Sequence, residues 1–578
     1  MKRVTITFPE SSAQVTPTRA AARFELLEAR LHWHAGHFHP GDAVTLKPYE
    51  QFISQYDEFN HPDDAHAVSA VTQEVSTPAP TALLQAASVL DPAVVGKWSV
   101  NQKWPVQAIH SVYLPTGKIL IFTYDEKINN VNLWDPVQNT FSKPASFNGY
   151  LYCSGHAMLE DGRVLLTGGK LGKVNGVPLG PRDAVIYDPF NDTWTVTPDM
   201  NAGRYYPTNT TLGNGDVLVV AGTDQNGKPN NVPQVYDPQS NTWRSLSTSK
   251  LVMPLYPMMF VLPDGRVYNV GPLQGTTIFD PSGTGTRVGG PRHVFGERGA
   301  GSAVMYDTGK ILVLGGGSTP RSTAEVIDMT KASPAWRQVD TMDAARRNVN
   351  ATILPDGNVF VTGGTSGPGA NNTSTPVFIT EMWNPGTEQF TQMAPMAVPR
   401  WYHSTALLLP DGRVMSAGGN GKISAEIYSP SYLFKGPRPV ISAAPAAMGY
   451  GQTFNVQTAS TNVTSAVLVR LGSATHSFNP DQRIARLQFT PTTGGLTVTS
   501  PANGNLAPPG FYMLFVLNAQ GVPSIAKIVR LDGDVAAPTN NPSLNRNAAY
   551  APPAKSTVVF STGTPVHDLI ADETALLA

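Results

Sequence analysis

One cysteine in 578 residues rules out an intrachain disulfide framework, a four-cysteine zinc site and an iron–sulfur cluster. Charge is scarce as well. Charged side chains make up 14% of the chain, against the usual ~25%. The 41 basic and 42 acidic groups leave a net charge of −1, so there is no counterion-release drive toward nucleic acid and no nucleic-acid partner is expected. Long apolar runs are missing too: runs such as 217–221 and 405–409 have the length of a strand. No transmembrane segment is expected from them. The N-terminus begins with a basic Met1-Lys2-Arg3, but neither the apolar stretch nor the small-residue cleavage pattern of a signal peptide follows.

Turn formers are abundant. The chain has 52 glycines and 50 prolines, above their usual combined share of about 12%. They punctuate a repeat that reads apolar strand, Asp/Asn-Gly turn, apolar strand, Gly-Gly. Copies are Glu-Asp-Gly-Arg-Val at 160–164, Gly-Asn-Gly-Asp-Val at 213–217, and Pro-Asp-Gly-Arg-Val at both 263–267 and 410–414, with Thr-Gly-Lys-Ile at 308–311 and Pro-Asp-Gly-Asn-Val at 355–359. A weaker first copy is Pro-Thr-Gly-Lys-Ile at 115–119. The turn glycines are Gly117, Gly162, Gly215, Gly265, Gly309, Gly357 and Gly412, between 44 and 55 residues apart. A second marker follows each, such as Trp134-Asp135-Pro136, Tyr187-Asp188-Pro189 and Tyr236-Asp237-Pro238. Two hairpins per ~50 residues, repeated seven times, predict an all-β fold built on a seven-bladed kelch-type β-propeller over residues 96–436.

Short alternating strands over residues 437–533 predict an immunoglobulin-like sandwich. The tail, 534–578, is rich in Ala, Pro and Asn and reads as irregular. The first 95 residues, unassigned, hold His32, His34, His37 and His39 within eight positions and a linker-like stretch at 71–94. That histidine cluster is either a metal-collecting loop or an ordinary flexible polar segment.

A propeller by itself says nothing about chemistry. Four segments interrupt the repeat with reactive residues: Leu151-Tyr152-Cys153-Ser154, Arg204-Tyr205-Tyr206-Pro207, Arg400-Trp401-Tyr402-His403, and Ala474-Thr475-His476 with Asp481-Gln482-Arg483. The first three lead into equivalent hairpins, with the reactive side chains nine or ten residues before the turn glycine. Equivalent positions converge on a propeller axis, so Cys153, Tyr206, Tyr402 and His403 can be neighbours. His476 joins them only if a loop of the C-terminal domain reaches in. Two imidazoles with two phenolates suit copper(II). Taken singly, each has an ordinary reading: an inert buried cysteine, core tyrosines, structural histidines.

The chain resembles the galactose oxidase / glyoxal oxidase family of copper radical oxidases over about residues 96–533. The carriers are Arg400-Trp401-Tyr402-His403-Ser404 with its following Pro-Asp-Gly-Arg-Val, Gly472-Ser473-Ala474-Thr475-His476 with Asp481-Gln482-Arg483, and Pro509-Gly510-Phe511-Tyr512-Met513-Leu514-Phe515 with Gly521-Val522-Pro523-Ser524. The resemblance implies one copper ion held by Tyr206, Tyr402, His403 and His476, with Tyr402 axial. It also implies a Cys153–Tyr206 thioether as a protein-derived radical cofactor. Alignment on Gly215 favours Tyr206 over Tyr205 for that role. The tryptophan that galactose oxidase stacks on its cross-linked tyrosine is replaced by Asp224. This, with Arg204-Tyr205-Tyr206, moves the match toward the glyoxal oxidase branch. Arg298 is a candidate for orienting a polar substrate, or a surface salt-bridge residue.

The resemblance implies oxidation of simple, glyoxal-like aldehydes to carboxylic acids, with dioxygen reduced to hydrogen peroxide. Two alternatives remain: a primary-alcohol or galactose-type oxidase acting on sugars or a cell-surface glycan, and a non-catalytic binding propeller. The expected partners are a small aldehyde or primary alcohol and dioxygen, and a monomer is expected. The family resemblance favours an extracellular or envelope location.

Overall fold

The computed structural model describes residues 90–532 except 125–128, 175 and 370. The N-terminal histidine cluster and the tail after Asp532 lie outside the described residues. Seven antiparallel sheets follow one another along the chain, from His110–Tyr113 in blade 1 to Ser424–Ser429 in blade 7. The expected seven-bladed propeller is the observed fold.

Each blade forms because its turn chemistry is local. In blade 4, Met258–Val261 runs into Val267–Gly271 through Leu262–Arg266. The Leu262 amide donates to Arg266 O at 2.8 Å, the Gly265 amide to Leu262 O at 2.9 Å, and the Arg266 amide to Asp264 Oδ1 at 3.0 Å. Gly265 sits at φ 88°, a left-handed conformation that a side chain would strain. The Asp-Pro turn closes the outer hairpin in the same way: Asp237 Oδ1 accepts from the Gln239 and Ser240 amides. Across that turn Tyr236 pairs with Trp243, their ring centroids 4.9 Å apart. The two inner strands of a blade are buried throughout, whereas outer strands such as Thr242–Ser245 alternate.

The ring is closed from its N-terminal side. Lys97–Trp98 and Gln102–Lys103 pair with Ser424–Ser429, supplying blade 7 with its outer edge. Trp98 Nε1 donates to Ala394 O at 2.7 Å and Tyr428 Oη to Val95 O at 2.7 Å.

The C-terminal domain has seven strands, in the order Ala447–Met448, Lys527–Leu531, Gly510–Asn518, Val463–Arg470, Ile484–Thr492, Gly495–Thr499, Thr453–Gln457. Its central strands are apolar on both faces, and the period-two alternation divides them between two cores. Ala466, Leu468, Tyr512, Leu514 and Val516 pack inside the domain. Val467, Val469, Phe511, Met513 and Phe515 face the other way and share a core with the propeller. At roughly 1.5–3 kcal/mol per buried large apolar side chain, this face alone binds the domain firmly to the ring.

Between Val463–Arg470 and Ile484–Thr492 the chain leaves the domain. Ser473–Thr475 adds to blade 1 as a fifth strand on His110–Val112. The returning residues dock on the first strands of three blades. Asp481 Oδ2 accepts from the Met158 amide at 3.0 Å, and Arg483 donates to Val261 O at 2.7 Å. Gln482 accepts from the Ile353 amide at 3.1 Å and donates to Ala351 O at 2.9 Å. First strands of neighbouring blades contact one another around the axis, so this loop occupies the ring's centre. Replacing Gln482 with leucine keeps the volume and leaves two buried backbone groups unmade. A loss of about 2–4 kcal/mol in the free energy of urea unfolding is expected.

Candidate active site

The side chain nine residues before each turn glycine defines one recurring position: Ala108, Cys153, Tyr206, Tyr256, Ala300, Asn348 and His403. In blades 2 to 7 this residue is left-handed, at φ 63°, 62°, 46°, 55°, 57° and 69°. None is glycine, and a non-glycine residue there costs about 1–2 kcal/mol. The fold maintains the strain in every blade but the first. The left-handed turn ends each lead-in and starts the innermost strand, and the larger side chains it carries meet near the axis.

Tyr206 and Tyr402 meet hydroxyl to hydroxyl at 2.8 Å, and His476 Nε2 is 3.0 Å from Tyr206 Oη. The Tyr402 and His403 rings stack at 3.9 Å, and His403 stands edge-on to His476 at 4.7 Å. Cys153 is fully buried, and its carbonyl accepts from the Tyr206 amide at 3.1 Å. The structure therefore places Tyr206, Tyr402, His403 and His476 together, with Cys153 beside Tyr206. His476 arrives on the turn Thr475–Phe478, whose ends exchange backbone hydrogen bonds at 3.0 Å. Ser302 of blade 5 holds that turn by donating to Ser477 O at 2.6 Å.

The hydrogen bonds set both histidine tautomers. Thr475 Oγ1 donates to Ile109 O at 3.0 Å, so it accepts from His476 Nδ1 at 2.6 Å. Asn420 Nδ2 donates to Asn371 Oδ1 at 2.9 Å, turning its Oδ1 to accept from His403 Nδ1 at 2.6 Å. Each imidazole thus carries its proton on Nδ1 and its lone pair on Nε2, the arrangement second-shell partners impose on metal-binding histidines.

Burial keeps His476 and Tyr206 neutral without a cation. Burial first, then His403, His110 and His156, holds His476 well below the usual imidazole range. Burial, reinforced by Cys153, Tyr205 and Tyr402, pushes the Tyr206 phenol well above its ordinary value. A dication fits such a site because two phenols can each give up a proton and balance its charge, while two neutral imidazoles complete an N₂O₂ set. No three His, Cys, Asp or Glu side chains converge as a metal site among the described residues, so the set depends on tyrosine. Without carboxylates it suits copper(II) better than calcium or magnesium.

Several neighbours were not legible as site residues. Tyr256 lies 4.5 Å from Tyr206 and 4.7 Å from His476, ring to ring, and donates to Ser154 O at 2.9 Å. The nine-residue spacing before Gly265 marks it as it marks Tyr206. His110 and His156 lie beneath the site with no local signature. Tyr205 is stacked on Tyr206 at 4.1 Å and 23°. Asp224 shapes a turn instead, accepting from the Asn226 and Lys228 amides. Arg298 is neither a substrate ligand nor a surface residue. It is fully buried and paired with Glu325, as Arg346 is with Glu381 and Arg400 with Glu426. These arginines tie blade lead-ins to third strands, a structural role repeated around the ring.

Fold and site together define a propeller with two tyrosines and two histidines gathered at its axis. Residues 438–531 match the galactose oxidase-like early set domain, residues 303–433 the glyoxal oxidase N-terminus, and residues 204–250 the kelch motif. The chain is 30% identical over 492 residues to galactose oxidase of Gibberella zeae, an alignment spanning 76% of this chain and 71% of that protein. It is 31% identical over 437 residues to aldehyde oxidase GLOX of Vitis pseudoreticulata, covering 66% of this chain and 82% of the relative. A solved fungal alcohol oxidase of the AA5 family, in complex with copper, superposes with a TM-score of 0.69 at 26% identity, over 76% of this chain and 99% of that one. The chain belongs to the galactose oxidase / glyoxal oxidase family of copper radical oxidases.

The buried histidines give the fold a pH signature. Burial lowers His156 from 6.5 to about 3. The unfolded chain takes this proton below about pH 6.5 and the native chain refuses it, so the stability His156 contributes is complete above 6.5 and lost as pH falls toward 3. Over that window the loss amounts to roughly 4–5 kcal/mol. Urea unfolding of metal-free protein from pH 7 to 4 should show it, with a flatter dependence for His156→Gln.

Proposed function

We propose that this oxidase takes simple, glyoxal-like aldehydes, as their hydrates, to carboxylic acids and reduces dioxygen to hydrogen peroxide. The observation that carries the reading is the convergence of Tyr206, Tyr402, His403 and His476, with the chain's one cysteine beside Tyr206. His403 and His476 would hold copper through Nε2, and Tyr206 and Tyr402 through their phenolate oxygens. When bound, copper supplies one one-electron store beside a second on the Tyr206 ring, and a positive charge that keeps the phenols deprotonated.

The Cys153–Tyr206 thioether makes that ring easier to oxidise. In its formation the Cys153 S–H and one Tyr206 ring C–H bond break and a C–S bond forms. Two protons and two electrons pass to dioxygen, giving hydrogen peroxide. In turnover Tyr402 Oη takes the proton of a substrate hydroxyl as general base, and Tyr206 Oη takes the hydrogen of the substrate carbon. Both protons and both electrons end on dioxygen, and the hydrate leaves as the acid.

Beside Tyr402 and His476 a pocket is walled by Leu255, Met258, Ala300 and Phe478, with Tyr256 and Asn348 as further polar side chains. Apolar walls exclude water, and a small substrate suits the space. Tyr205 on Tyr206, where galactose oxidase uses a tryptophan from another position, supports the aldehyde branch. Similarity to galactose oxidase and to the copper-complexed fungal alcohol oxidase favours the alternative, a primary-alcohol oxidase. Peroxide release is suited to the cell exterior or envelope, which fractionation of the native host tests.

Copper-loaded protein should release peroxide faster from glyoxal or glycolaldehyde than from galactose or benzyl alcohol. The opposite order moves the enzyme to the alcohol branch. Absence of a tight stoichiometric copper site would leave a binding propeller. After aerobic copper loading the intact chain should be lighter by two hydrogen atoms and carry no alkylatable thiol after denaturation. Metal-free protein should show the full mass and one thiol. Cys153→Ser should still bind copper while losing most turnover.

A further inference from the structure

Two fully buried histidines, His110 and His156, lie beneath the site and are not among the donors. Their hydrogen bonds run in one direction. The Cys153 amide donates to His110 Nε2 at 3.1 Å, which places the His110 proton on Nδ1. Nδ1 then donates to His156 Nε2 at 3.1 Å, which places the His156 proton on its own Nδ1. That nitrogen donates to Ser473 Oγ. The His110 ring is clamped flat against Phe122, centroids 4.4 Å apart and planes 4° from parallel.

The two ends of this relay belong to different parts of the chain. Cys153 opens blade 2 in a left-handed conformation, φ 63°. Ser473 starts the strand that the C-terminal domain lays on blade 1, where Thr475 pairs with His110 itself. The next residue back, Ile109, accepts from the Thr475 hydroxyl that fixes the His476 ring. The dipeptide Ile109–His110 therefore sets the backbone of Cys153 on one side and the orientation of His476 on the other.

We propose that His110 is a positioning residue for cofactor formation, coupling through His156 and Ser473 the placement of Cys153 to that of the strand carrying His476. It touches neither substrate nor metal donors by hydrogen bond. Its task is to hold the cysteine turn and the incoming strand in one register, so that sulfur and the Tyr206 ring face each other when the C-terminal domain is docked. This rests on the thioether reading given under Proposed function; the relay itself is independent of it.

The test uses full-length protein prepared metal-free. His110→Phe keeps the ring against Phe122 but offers no acceptor to the Cys153 amide and no donor to His156. His110→Gln offers both. On adding copper and air, His110→Phe should bind copper with wild-type stoichiometry. Its loss of alkylatable thiol and of two hydrogens should slow by about tenfold to a hundredfold, the factor that a buried donor left unmade commands. His110→Gln should recover most of the rate. Ser473→Ala, which removes the last acceptor with little change in packing, should slow it measurably and serves if His110→Phe does not fold. Cross-linking at the wild-type rate in His110→Phe or Ser473→Ala overturns the proposal.

Hydrogen exchange on the metal-free proteins separates the two readings. Amides at 151–154 and 473–476 should exchange faster together in His110→Phe and Ser473→Ala, and be restored in His110→Gln. Faster exchange at 151–154 alone means the relay couples nothing and overturns it. If wild-type protein forms no thioether with copper and air, the thioether reading fails, and exchange alone decides the relay.

Discussion

The left-handed residue that starts the inner strand of six blades is the constraint from which the rest of the site follows. A propeller repeats its backbone, so whatever conformation the lead-in requires is required in each blade. Here the requirement is a positive φ on residues that carry side chains, a strain paid six times over. In return the ring obtains a set of stiff brackets that aim one side chain per blade toward the axis. Cys153, Tyr206 and His403 are three brackets of one kind, and Tyr402 sits one residue before the third. Their approach across 250 residues of sequence needs no special loop, because the repeat already brings the brackets to one place.

The exception is blade 1, where Ala108 is not left-handed and an extra strand from the C-terminal domain lies against the inner edge. That strand delivers His476, the one proposed donor that the blades do not supply. Its return path is bonded to Met158, Val261, Ile353 and Ala351, first-strand backbone groups that would otherwise be buried without partners. The C-terminal domain thus does two jobs with one excursion: it caps the polar centre of the ring and completes the proposed donor set. The large apolar face it shares with the propeller makes the docking rigid, so His476 is placed as securely as residues within the blades.

Why the ring was legible and parts of the site were not follows from the range of the interactions. Gly265 with Asp264, or Asp237 with its two amides, closes a turn among residues a few positions apart, and seven copies of such a turn are visible in any single sequence. The apolar alternation that splits Val467 from Leu468 is equally local. Tyr256 was legible in principle, since it stands nine residues before Gly265, but a tyrosine in a blade lead-in also reads as core. His110 and His156 could not be singled out: each is one histidine on an apolar strand, and their meaning comes from Cys153 and Ser473, far away in sequence. Arg298 misled for a related reason. A polar residue in a loop suggests the surface or a ligand, whereas its partner Glu325 lies 27 residues on and the pair is sealed inside a blade.

Charge balance fits tyrosine, rather than carboxylate, to the part of anionic donor in the proposed copper centre. The site is deep, His476 and the neighbouring His110 are kept neutral by burial and by nearby imidazoles, and no cluster of His, Cys, Asp or Glu side chains forms a metal site among the described residues. An aspartate in such a place would have to be charged at neutral pH with nothing to offset it while the metal is absent. A phenol is neutral until a cation arrives, so the site folds without an uncompensated charge and would lose two protons only on binding a dication. Once deprotonated, the aromatic ring of a phenolate can also give up one electron far more readily than a carboxylate. Folding and redox chemistry therefore select the same residue type at Tyr206 and Tyr402, and the hydrogen-bonded chain from Tyr402 through Tyr206 to His476 Nε2 is the form in which the protons wait.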